Sequence, residues 1–136
     1  MDFNAIPLSS GTCTIGKRFF FEAGHKLAGL PSEHKCARQH GHSYEVEVIL
    51  SADSLEDPGF VTDFGDLAPF KNFLNTELDH HNLHEILPFD PTSERLAQFL
   101  ASWFVQNLQP EIHGTLVAVL VRETRNSWAR FDVEAQ

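Results

Sequence analysis

CARQHGHSYEVEVIL, residues 36–50, changes character partway along its length. From His40 onward, His40, His42, Tyr44, Val46, Val48 and Leu50 alternate with Gly41, Ser43, Glu45 and Glu47, the period-two pattern of a half-buried strand. Its inward row therefore opens with two histidines and continues as ordinary core. Upstream, residues 12–25 repeat the period, with Cys13, Ile15, Phe19, Phe21, Ala23 and His25 on one face, interrupted by Lys17. Paired as an antiparallel hairpin, the two strands bring His25, at the end of the first, opposite His40 and His42, at the start of the second. All three then lie on the buried side. The connection between them, Lys26 to Gln39, is far longer than a hairpin needs, and long ordered loops are usually functional. Cys36 sits in it.

Downstream, Asp57-Pro58-Gly59 marks a turn, after which Leu67, Phe70, Leu74 and Leu78 follow at helical spacing. Pro69 is tolerated only in a first turn, which places the helix start near Asp66. A second helix follows Pro91, with Thr92 as N-cap and Glu94 favouring the macrodipole. Its stripe is Leu96, Phe99, Leu100, Trp103, Phe104 and Leu108, and Pro110 ends it. LVAVLV, residues 116–121, reads as a strand buried on both faces; a turn near Arg125-Asn126 leads to a last strand, Trp128 to Val133. The order ββααββ predicts an α+β fold, an antiparallel sheet with two helices on one face. Residues 1–11, MDFNAIPLSSG, read as a terminal arm of a single domain spanning 1–136.

With 42% hydrophobic residues, 12 Phe among them, a chain of 136 residues can build a real core. A net charge of -9 without any block of Lys or Arg argues against a nucleic-acid surface. With neither a signal peptide nor a long apolar span, the two cysteines, Cys13 and Cys36, predict a reduced cytoplasmic protein without membrane contact. Cys13, on the Phe face of the first strand, reads as core packing.

Neutral imidazole is a good zinc ligand, and three protein ligands with an open position form the catalytic arrangement, whereas structural zinc sites are closed by four. His25, His40 and His42 are thus candidate ligands of Zn2+. Cys36 is either a fourth ligand, a base or nucleophile whose thiolate Lys35 and Arg38 would favour, or an idle thiol. Asp79 and His80, adjacent in LDHHNL, have the composition of an acid-oriented proton carrier, and equally of a solvated helix end. Glu123 continues the line of Val117, Val119 and Val121. Its carboxylate needs a partner, either Arg122 or Arg125 or a ligand with paired N–H donors. Lys26, Lys35, Arg38, Arg122 and Arg125 could meet an anion or stand as plain surface charge.

Taken together, FFFEAGH, CARQHGHSYEVEV, GFVTDF, LDHHNL, PTSE and VRET resemble, in order, the motifs of the 6-pyruvoyltetrahydropterin synthase and 6-carboxytetrahydropterin synthase (QueD) family. The resemblance implies the tunnelling fold, a trimeric barrel stacked into a homo-hexamer with active sites between subunits. It implies Zn2+ on His25, His40 and His42, proton transfer by Cys36, Asp79 and His80, and a pterin ring gripped by Glu123. The implied substrate is 7,8-dihydroneopterin triphosphate. The spacing C-x3-HGH looks like the carboxy-type enzymes of queuosine and 7-deazapurine synthesis, which release acetaldehyde and triphosphate; the pyruvoyl-forming synthase is the alternative within the family. A non-enzymatic zinc-stabilised module, closed by Cys36, is the alternative outside it. Gly24, His84 and Arg95 depart from the family pattern, which usually has Ala, Asn or Asp, and Asn at these places.

Overall fold

A computed structural model describes residues 1–135 of the chain. Two long strands, β1 (Cys13–His25) and β2 (His40–Ala52), pair antiparallel with His25 opposite His40 and Ala23 opposite His42. β3 (Thr115–Thr124) lies on the other side of β2, and β4 (Ser127–Asp132) completes the order β1-β2-β3-β4. The strands form because branched and aromatic residues recur every second position. Phe19, Phe21, Tyr44, Val46, Val48, Leu50, Val119 and Val121 are all buried against the helices.

The helical layer begins at a 3-10 turn, Phe64–Leu67, whose Asp63 side chain accepts the Gly65 N–H. It continues as α1 (Ala68–Phe73), with Pro69 in the first turn where its missing N–H costs nothing, and widens into a π-turn, Leu74–Leu78. Leu67, Phe70, Leu74 and Leu78 are all essentially solvent-free. A single-turn helix, α2 (Leu83–Ile86), which the sequence pattern does not announce, precedes α3 (Ser93–Asn107). Thr92 caps α3 by accepting the Arg95 N–H at 3.2 Å. Leu96, Leu100, Phe104 and Leu108 are buried, while Phe99 and Trp103 are half-buried at the flank of the stripe. Phe70 fastens helix to sheet, edge-on to Phe19 at 5.1 Å and to Phe104 at 5.7 Å. Each buried Leu or Phe contributes about 1.5–3 kcal/mol relative to exposure.

α3 ends at Asn107, slightly before the proline, because a 3-10 turn, Gln109–Glu111, places Pro110 in its own first positions. β3 is buried on both faces along most of its length, Leu116 and Ala118 through Val121 all being covered. Cys13 corrects the expectation drawn from its face. It is exposed, because full burial along β1 begins at Phe19, Ile15 before it is half-buried, and Lys17 on the same row lies over the Phe64 ring at 5.8 Å. The outer sheet face carries ion pairs beside apolar residues: Arg122 donates to Glu45 at 2.8 Å, and Arg18 stands near Glu45 and Glu47. Among the described residues no helix is long and apolar enough to cross a membrane.

Candidate metal centre and active site

Where the inward rows of β1 and β2 run out of apolar residues, the three imidazoles meet. His25 Nε2 is 2.8 Å from His40 Nε2 and 3.1 Å from His42 Nε2, and the ligand atoms of all three lie within 4.8 Å of one another. Register explains the meeting, since His25 faces His40 directly and His42 lies one inward position along.

Backbone carbonyls decide which nitrogen is free. His25 Nδ1 stands 2.9 Å from the carbonyl of Pro91 and His40 Nδ1 stands 2.7 Å from that of Arg38. A carbonyl can only accept, so both Nδ1 atoms carry the proton and both Nε2 lone pairs point into the same small volume. Lone pairs so placed repel unless a cation lies between them. Ideal tetrahedral zinc spaces its nitrogen ligands by about 3.3 Å, close to the 2.8 and 3.1 Å that separate His25 Nε2 from the other two. The residues therefore fit a divalent metal ion, and the outer carbonyls are the kind of partner that orients ligating histidines.

Burial supports the same chemistry. His25 is 2% exposed, and desolvation pushes its pKa down against the opposing effects of the Pro91 carbonyl and the Glu123 charge. Desolvation likewise lowers His42, with Glu123 working the other way. Both histidines are thereby held in the neutral, ligating form. Glu123 Oε2 is 3.5 Å from His42 Nε2, so its carboxylate faces the imidazoles and not Arg122, which pairs with Glu45 on the opposite face. Tyr44, which follows the histidines in the inward row, places its hydroxyl 3.3 Å from His25 Nδ1, and burial, then Glu123, raises its pKa.

Asp79 and His80 are brought together at the outer edge of β1. The π-turn ends at Asp79, and residues 79–82 run beside the strand edge: Gly24 N–H donates to the His81 carbonyl at 3.0 Å and His80 N–H donates to the Glu22 carbonyl. His80 takes a left-handed backbone, φ 60°, which non-glycine residues adopt rarely. Its Nδ1 meets Asp79 Oδ2 at 2.9 Å. Asp79 also accepts the Glu22 backbone N–H at 2.8 Å, and that bond, ahead of His80, holds its carboxyl below the usual range. A cavity of about 370 Å³ is lined by His80 and Asn82 together with Glu22, Gly24, His42 and Ser43.

Cys36 stands apart. It is half-buried in a 3-10 turn, Lys35–Ala37, its backbone N–H held by His34 Nδ1 at 3.0 Å, and among the described residues the ligand cluster consists of the three histidines without it. Both cysteines are free thiols. Sequence reasoning passed over Glu22 and Pro91, which act through the backbone and leave no side-chain signature.

Sheet, helical layer and histidine corner define a protein of the tunnelling-fold type with a candidate metal centre. A sequence profile of the 6-pyruvoyl tetrahydropterin synthase family matches residues 14–134, and the chain belongs to that family. It is 36% identical over 123 residues to the 6-carboxy-5,6,7,8-tetrahydropterin synthase of Synechocystis sp., covering 86% of this chain and 91% of that protein. To the Bacillus subtilis protein of the same name it is 33% identical over 122 residues, 84% of this chain and 81% of the other. Among solved structures, the Caenorhabditis elegans 6-pyruvoyl tetrahydropterin synthase superposes with a TM-score of 0.79 at 23% identity, over 94% of this chain and 100% of that one. At that identity the likeness carries the fold alone.

Proposed function

We propose that the protein is a zinc-dependent 6-carboxy-5,6,7,8-tetrahydropterin synthase. The substrate is 7,8-dihydroneopterin triphosphate, the by-products are acetaldehyde and triphosphate, and the product feeds 7-deazapurine synthesis toward queuosine. The carrying observation is the histidine corner, with two Nδ1 atoms bonded to backbone carbonyls and three Nε2 atoms converging beside a carboxylate. Relatives at 36% and 33% identity that bear the carboxy-type name support this branch over the pyruvoyl-forming one.

In this reading His25, His40 and His42 hold Zn2+, which when bound polarises the side-chain oxygens of the substrate so that neighbouring C–H protons become removable. Glu123 accepts the paired N–H donors of the pterin ring, a bidentate geometry that fixes the ring's orientation. Asp79 holds the His80 imidazole through Nδ1, leaving Nε2 free to take or deliver a proton. Cys36, outside the ligand cluster, is the second proton carrier. A three-histidine set that leaves Cys36 out favours catalysis over a closed structural site.

The edges of the sheet favour a homo-hexamer built as a dimer of trimers. β1 and β4 are edge strands, β1 engaged along its edge by the 79–82 turn only at residues 22–24, with Phe20 66% and Trp128 59% exposed, and open edges with apolar side chains invite pairing with another copy. In such an assembly a neighbouring subunit would cover the exposed His80.

The test is incubation of the metal-loaded protein with 7,8-dihydroneopterin triphosphate, followed by mass analysis. Acetaldehyde with 6-carboxytetrahydropterin is the expected result, and a pyruvoyl product without acetaldehyde would move the chain to the other branch. Cys36→Ala is expected to keep its metal and lose turnover; loss of metal with unfolding would return the structural-module reading.

A further inference from the structure

A Cβ added to Gly24 would stand 2.6 Å from Gln39 Nε2 and 2.7 Å from Asn82 Oδ1, and those two atoms are themselves hydrogen-bonded at 3.0 Å. The amide pair thus crosses directly over the glycine, at a height that any side chain there would occupy. Beneath it, Gly24 bridges to Asn82 through the backbone and faces Gly41 across the hairpin. Gln39 closes the loop that bears Cys36, and Asn82 closes the turn that bears Asp79 and His80.

We propose that Gln39 and Asn82 are positioning residues, a latch across β1 that sets the Cys36 loop against the Asp79–His80 turn, with Gly24 as the clearance it needs. The proposal rests on the reading of Cys36 and His80 as the two proton carriers. The other end of the loop is anchored separately. Asp90 accepts the N–H groups of Ala28 at 3.1 Å and Gly29 at 2.8 Å, and Leu27 N–H donates to the Cys36 carbonyl at 2.9 Å. Among the described residues, Gln39 to Asn82 is the side-chain bond that joins loop to turn.

Gln39 is exposed and Asn82 half-buried, and a bond between neutral amides in such a place adds little to folding. Its removal is therefore separable from unfolding, whereas a shift of about 1 Å between reacting groups can cost up to about a hundredfold in rate.

The test is a mutant set with two readouts. Gln39→Ala and Asn82→Ala are each expected to lower kcat about tenfold while KM changes less than about twofold, with metal content unchanged. The double variant is expected to lose no more than either single one. Gly24→Ala, which pushes the amides apart and also meets the His40 carbonyl at 3.3 Å, lowers kcat more in the wild-type background than in Gln39→Ala/Asn82→Ala. Independently of any substrate, the alkylation rate of Cys36 by iodoacetamide, read on its own peptide by mass, is expected to change about threefold in each single variant and no further in the double. Additive losses, an unchanged alkylation rate, or a Gly24→Ala effect equally large without the amides would each overturn the latch. If the wild type fails to turn over the pterin triphosphate, the functional reading fails, and the alkylation cycle still decides the latch.

Discussion

Two acid–histidine contacts lie on either side of the same strand and have opposite surroundings. On the inner face, His25 and His42 stand beside Glu123 under the helical layer, and desolvation keeps the imidazoles neutral. At the edge, the His80 side chain is 78% exposed and its Asp79 is held ionised by a backbone N–H. Burial suits the first group to hold a metal ion. Exposure leaves the second in water, so the proton-carrier role proposed for it would gain a dry environment only where another surface covers it.

The largest test of this contrast is His25→Ala, which removes the most deeply buried imidazole and is expected to abolish metal binding and turnover together, read by metal analysis and product assay. His80→Ala should leave the metal in place and lower kcat by about 10²–10⁴-fold. If both variants lose metal, the two groups are one site and the contrast fails. Glu123→Gln should weaken metal affinity by about tenfold, read by competition with a chelator, and raise KM for the pterin.

Acid acts on the inner group in a defined direction. His25 and His42 have folded pKa values below 6.5, so below that value the unfolded chain takes up protons that the folded chain refuses. Their contribution to stability is present above pH 6.5 and is lost as the pH falls toward the folded values. The metal-free protein is expected to show a falling Tm as the pH is lowered through 6.5, and the double variant His25→Gln/His42→Gln a flatter profile. The smallest effect is that of Thr92→Ala, which removes the α3 cap beside the Pro91 carbonyl and is expected to cost about 1 kcal/mol of stability with turnover retained.

Much of this was legible before any coordinates. The period-two rows of β1 and β2 and the helical spacing of Leu67, Phe70, Leu74 and Leu78 are one-dimensional consequences of burying one face, and the structure buries the β1 row from Phe19, the β2 row from Tyr44 and all four helical residues. Cys13 was misplaced because periodicity says which face a residue takes and not how far along the strand the covering layer extends. The π-turn and α2 escaped notice because both are too short to set up a period of their own. Gly24 could be noticed as a departure from the family pattern, but its reason, an amide pair crossing above it, involves residues fifteen and fifty-eight positions away.

Composition and alternation alone settle that this chain makes an antiparallel sheet under helices, and that its inward rows end in three imidazoles, because side-chain direction in a strand follows from residue parity. Parity carries no information about which nitrogen is free, which acid faces the imidazoles, or what holds His80 in a left-handed turn. Those follow from carbonyls, edges and clearances contributed by distant segments, Pro91, Arg38, Glu22 and the Gln39–Asn82 pair, and they exist only once the chain has closed upon itself.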